Sequence, residues 1–162
     1  MILLLASSMF FGSMSTLQYP ETDWRHKIIL FQSTRTDVEK LLGKPIGQYY
    51  GVTYKLNDGV LYLDYYGFDH CKARYGLDAD WDLPEWTVTE IEYRPDHGPK
   101  LASLRLSLET FRKEYESPEV PDLVSYINDE EGVDYTFNAN RKLNSVRYFP
   151  GPRYDKFRCT MK

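Results

Sequence analysis

One pattern, a short amphipathic helix followed by three strand-like runs, occurs twice along this chain and limits the folds open to it. In the first occurrence Ser33 to Pro45 reads as the helix, because Val38, Leu41 and Leu42 recur at helical spacing. Thr36 stands as its N-cap with Glu39 three residues later as capping-box partner, Gly43 ends it, and Pro45 blocks continuation. Runs rich in β-branched and aromatic residues follow at Tyr49 to Leu56, Val60 to Tyr66 and Thr87 to Arg94, the first two joined by a turn at Asn57, Asp58 and Gly59. Tyr50, Val52, Tyr54 and Leu56 alternate with more polar neighbours, which is the period of a strand with one buried face.

The second occurrence begins after a strand-like run at Leu101 to Leu106. Ser107 reads as the cap of a helix carrying Leu108, Phe111 and Tyr115 on one side and stopped before Pro118. Strands are then expected at Leu123 to Ile127, Val133 to Phe137 and Leu143 to Phe149. Short echoes join the halves: Val52-Thr53-Tyr54 with Val124-Ser125-Tyr126 at an offset of 72, Gly59-Val60 with Gly132-Val133 at 73, and Ile91-Glu92-Tyr93 with Val146-Arg147-Tyr148 at 55. The shorter last offset follows from an extra loop, residues 67–85, in the first half. The expectation is an α+β fold of two tandem units, each a helix laid on a three-stranded antiparallel meander, over residues 18–100 and 101–162.

Residues 1–17 carry no charged side chain and open with the apolar run Ile2 to Ala6, followed by small residues. This reads as a signal peptide, although the usual basic residue before the apolar segment is missing. The stretch is too interrupted by Ser7, Ser8, Gly12 and Ser13 to span a bilayer, so the mature chain is expected to be soluble, exported to a periplasm or beyond the cell, and without stable membrane insertion. Its two cysteines, Cys71 and Cys159, an even count in an exported chain, are expected to form a disulfide.

The segment Ser33 to Gly43, with Pro45 and a tyrosine-rich meander after it, resembles the helix-to-strand entry of the small outer-membrane-assembly lipoprotein family (SmpA/OmlA), whose fold is shared with tandem-domain β-lactamase inhibitor proteins. The wider pattern, through Cys71, Trp81-Asp82-Leu83-Pro84, Glu130-Glu131-Gly132 and Phe157-Arg158-Cys159, is similar to a group of uncharacterised exported bacterial proteins. The resemblance implies the tandem αβββ fold and brings no activity with it. The lipoprotein's anchoring Cys is missing, and the inhibitors carry more cysteines than the two present.

With 20 basic against 24 acidic residues the chain lacks the positive excess that draws proteins onto phosphate backbones, and no nucleic-acid partner is expected. No cofactor is expected either. His26, His70 and His97 stand at no metal-ligand spacing. Asp78, Asp80 and Asp82 open like a calcium loop, but Leu83 and Thr89 stand where the turning glycine and the bidentate glutamate belong, which leaves a solvated acidic loop as the expectation and those aspartates only as weak calcium candidates. No convergent set of titratable residues announces catalysis.

What the composition favours is recognition. Fourteen tyrosines and three tryptophans supply amphipathic contact area at low entropy cost, and long loops in compact domains are commonly functional. Phe68, Tyr75, Trp81 and Trp86 are the candidate binding aromatics. The expectation is a non-catalytic module that binds another envelope or extracellular protein. The alternative is a small-ligand carrier or hydrolytic enzyme with its site between the two units.

Overall fold

Among the described residues an α-helix forms in the first half only. The computed structural model describes residues 23–47, 51–67, 70–72, 81–115 and 122–159, and α1 spans Arg35–Leu42. Its cap is Thr34, not Thr36. Thr34 holds an extended backbone (φ −100°, ψ 165°), its hydroxyl accepts from the Asp37 N–H, and the Asp37 carboxylate accepts from the Thr34 N–H at 3.0 Å, which completes a capping box. Those hydrogen bonds hold the Asp37 carboxyl below its usual range. Thr36 already lies inside the helix, and Glu39 turns instead to Arg35, 2.7 Å away. Gly43, at φ 81°, ends the helix.

The strands are β1 (Val52–Lys55), β2 (Gly59–Tyr65), β3 (Val88–Pro95), β4 (Arg112–Tyr115), β5 (Val124–Asn128), β6 (Val133–Phe137) and β7 (Leu143–Tyr148). They form one antiparallel sheet in the order β1-β2-β3-β7-β6-β5-β4. This overturns the expectation of two tandem helix-plus-meander units: the meanders β1-β2-β3 and β5-β6-β7 share a sheet through β3 and β7, and the second has no α-helix among its described residues. Ser107 makes no side-chain cap, Leu108–Thr110 is a single 3-10 turn, and Arg112–Tyr115 is a strand. The reason is local. One 3-10 turn satisfies the Leu108 and Phe111 spacing, and the next four residues gain a full ladder on β5. The run Leu101 to Leu106 likewise forms a turn, Leu101–Ser103, with Leu104 buried behind it.

The rungs also test the echoes between the halves. Glu92 lies opposite Arg147, so Ile91 faces Tyr148 and Tyr93 faces Val146, and the two segments related by 55 residues run antiparallel against each other. Counting outward from that rung, Tyr62 answers Asp134 and Thr53 answers Ile127. On this count Val52 answers Tyr126, not Val124, and Val60 answers Gly132, not Val133. Two of the three echoes therefore fall out of spatial register, and the Gly-Val match would place its residues on opposite faces.

One face of the sheet is apolar. Over β1-β2-β3 it carries Val52, Tyr54, Leu61, Leu63, Ile91 and Tyr93, sealed by Val38, Leu41 and Leu42 of α1 and by Trp24, Ile28, Leu30 and Phe31. Burying an aliphatic side chain such as Leu61 contributes about 1.5–3 kcal/mol relative to leaving it exposed. A second core gathers Val133, Tyr135, Phe137, Leu143 and Val146 under Leu104, and Tyr148 packs against both cores. The segment from Gly98 is drawn close to β7: Leu143 donates its N–H to the Pro99 carbonyl, and a side chain at Gly98 would collide with the Leu143 carbonyl. No helix among the described residues is long and apolar enough to cross a membrane.

Candidate functional site

The inserted loop is fastened at its base. Cys71 and Cys159 form the expected disulfide, with Cα atoms 5.6 Å apart. The His70 N–H donates to the Leu83 carbonyl at 2.8 Å and the Asp82 N–H to the Phe157 carbonyl at 2.7 Å, so the tail of the chain is laid against the end of the loop. The His70 Nδ1 lies 3.0 Å from Asp82 Oδ1 at an exposed position. Asp82 thus has a partner other than a metal, and no group of three or more potential ligands stands ready for a metal among the described residues. Phe68, Tyr75, Asp78 and Asp80 lie outside the described residues. Residues 1–17 do as well.

The two loop tryptophans separate clearly. Trp81 is half-buried: its ring meets Phe31 edge to face at 4.8 Å with Arg158 over it, and its main-chain N–H donates to the Tyr66 hydroxyl at 3.1 Å. Its work is packing. Trp86 is 47% exposed and holds a left-handed backbone at φ 69°, a conformation that costs a bulky residue about 1–2 kcal/mol. Two main-chain bonds keep it there. Its N–H donates to the Tyr66 carbonyl at 2.8 Å, and its carbonyl accepts from the Arg35 N–H at 2.9 Å, in the first turn of α1. The Arg35 guanidinium lies 5.3 Å from the indole ring while bonded to Glu39. Exposed Ile29 belongs to the segment that runs beside Val88, through the bonds of Phe31 and Ser33 to that residue.

A second feature was not legible in the sequence. Where the missing helix would have covered the apolar face, a cleft of about 330 Å³ opens between the Leu101–Ser103 turn and β5-β6. Its floor is Leu101, Val124, Tyr126 and Phe137, and its rim carries Lys113, Arg141, Asp122 and Asn138. Lys113 stands opposite Tyr126, and Val124 opposite Phe137, which puts these side chains on one face. Arg141 occupies a left-handed position (φ 55°) in the turn between β6 and β7, where its N–H donates to Asn138 and its carbonyl accepts from Leu101. The Asn138 Oδ1 accepts from the N–H groups of Asn140 and Lys142, at 3.0 and 3.1 Å, so the turn holds that side chain by its oxygen and not by its donor nitrogen. A shallower hollow lined by Lys100, Ala102 and Asn140 shares Leu101 and Arg141.

The opposite sheet face is polar. Asp64 and Glu90 stand directly across from each other, and burial pushes both carboxyls up, helped at Asp64 by Glu92. Arg147 bridges to the buried Asp134 at 3.1 Å, and Arg94 to Glu92 at 2.7 Å. These pairs occupy the face with structural charge networks.

No described protein family, curated protein or solved structure matches the chain.

Proposed function

We propose that this protein is a non-catalytic interaction module that binds another protein through a surface centred on Trp86. The observation that carries the reading is the display of that side chain. A tryptophan nearly half exposed, on a backbone conformation that disfavours it, is held by main-chain bonds to Tyr66 and Arg35. Tryptophan and arginine are the side chains that most often dominate binding energy at protein interfaces, and Arg35 stacks beside it. A rigid presentation lowers the entropy lost on association. Export to a periplasm or the cell exterior belongs to the same reading, supported by the Cys71–Cys159 bond and the uncharged opening of the sequence. So does the resemblance of Ser33 to Gly43 to the envelope-assembly lipoproteins.

The test is quantitative capture from an envelope extract, followed by affinity measurement against the purified partner. Trp86→Ala is expected to weaken binding by at least about 2 kcal/mol, near thirtyfold, while Tyr115→Ala, at another exposed aromatic, leaves it unchanged. Equal affinity of Trp86→Ala and the parent chain would end this reading.

A further inference from the structure

We infer that the cleft beside the Leu101–Ser103 turn is a binding site for a small monoanionic carboxylate with an apolar or aromatic body. Three independent features converge on that chemistry. The floor is apolar and aromatic: the Tyr126 and Phe137 rings meet edge to face at 5.8 Å, and Val124 and Leu101 flank them. A body of that character loses its water there. Among the described lining residues two cations, Lys113 and Arg141, stand against one carboxylate, Asp122, an excess of one positive unit that a single carboxylate neutralises. Lys113 donates to the Tyr115 hydroxyl at 3.2 Å and lies over that ring, and among the described residues neither it nor Arg141 is bonded to a carboxylate.

The third feature is geometric. Arginine is ill suited to φ 55°, where glycine or asparagine is at ease, yet the turn places it there with its main chain bonded to Asn138 and Leu101. Beside it the Asn138 side chain is oriented by its own turn, with its oxygen occupied and its nitrogen free to donate. Both residues line the apolar trough, and a guanidinium with an amide N–H group suits a carboxylate carried on an apolar body. The volume, about 330 Å³, lies at the small end of ligand sites. The site lies on β4-β5-β6 and uses no residue of the Trp86 surface, so the two proposals stand or fall separately.

The experiment titrates the full chain with phenylacetate and with hexanoate, using the neutral phenylacetamide as control, by calorimetry and by amide chemical shifts of Asn138 and Arg141. Both acids are expected to saturate one site, with the amide at least about tenfold weaker. Arg141→Gly is the informative variant. Glycine suits the backbone at that position, so the thermal midpoint should hold or rise while affinity for the acids falls by about tenfold. Lys113→Gln, on an exposed strand residue, supplies a second reading with the same expected loss, and Trp86→Ala should leave carboxylate binding untouched. The inference is overturned if the acid and the amide bind alike, if neither acid saturates below roughly 10 mM, or if Arg141→Gly keeps full affinity.

Discussion

Trp81 and Arg158 face each other in an isolated antiparallel bridge, with the Arg158 guanidinium 4.4 Å from the centre of the indole ring. One residue along the tail, Cys159 is bonded to Cys71. The C-terminal segment is thereby held against the loop base by a covalent link, main-chain bonds and a cation on an aromatic face. The disulfide should dominate, since it closes a loop of 88 residues in the unfolded chain. Replacing both cysteines by serine is expected to lower the unfolding free energy by about 2–4 kcal/mol. Arg158→Ala should cost about 0.5–1 kcal/mol. Denaturant titration followed by tryptophan fluorescence reads both, and equal losses would contradict this ordering.

The two threonines at the start of α1 give a clean comparison. Thr34→Ala removes the hydroxyl that closes the capping box and is expected to cost about 1 kcal/mol. Thr36→Ala, at an exposed position within the helix, should fall within about 0.5 kcal/mol of the parent, on the stable side if anything. Urea midpoints of the two variants settle which threonine is the cap.

Buried tyrosines offer a test of unpaired hydroxyls. Tyr54 is 2% exposed, and its hydroxyl lies near that of Tyr65 without either forming a hydrogen bond of good geometry. Burial pushes the Tyr54 hydroxyl up. Tyr54→Phe is therefore expected to be neutral or stabilising by up to about 1 kcal/mol. Tyr93→Phe breaks the bond from the Tyr93 hydroxyl to the Asp58 carbonyl, 3.0 Å away, and should cost about 1 kcal/mol. Thermal melts of the pair should move in opposite directions or differ clearly in size.

Asp64 and Glu90 set the expected response to pH. Burial raises both carboxyls above their ordinary values of 3.8 and 4.5, so the folded chain holds these protons more tightly than the unfolded chain. Their contribution to stability is full below the ordinary range and is lost as pH rises through the raised values. Asp64→Asn and Glu90→Gln remove that loss. Each should stabilise at pH 7, by less than about 1 kcal/mol because both groups keep part of their contact with solvent, and the advantage should shrink as pH falls toward 4. Unfolding measured at both pH values checks the sign.

Strand positions were readable because Val52, Tyr54, Leu61 and Leu63 alternate with more polar or outward-facing neighbours, and burial of one sheet face enforces that alternation. The disulfide was readable from cysteine count alone. The cap was not, because Thr34 and Thr36 each have an acidic residue three positions on, and only the backbone at Thr34 distinguishes them. The second helix misled because Leu108 and Phe111 fit one 3-10 turn as well as a helix, while β4, Arg112 to Tyr115, has almost no apolar signal and owes its form to main-chain pairing with β5. At the candidate sites, nothing in the sequence separates Trp81, which packs, from Trp86, which is displayed. Nor does it mark Arg141, whose backbone angle arises from the turn around Asn138.

The two margins of the sheet are unlike. Beside β1, Ile46 and Gly47 bond to both main-chain groups of Thr53, whereas all four residues of β4 are exposed and nothing among the described residues pairs with the outer side. Fibril growth requires a molecule with two adhesive ends; among the described residues the β1 margin is partly occupied at Thr53, and the β4 margin is guarded by Arg112, Lys113 and Glu114. Both devices disfavour the lateral recruitment of further strands.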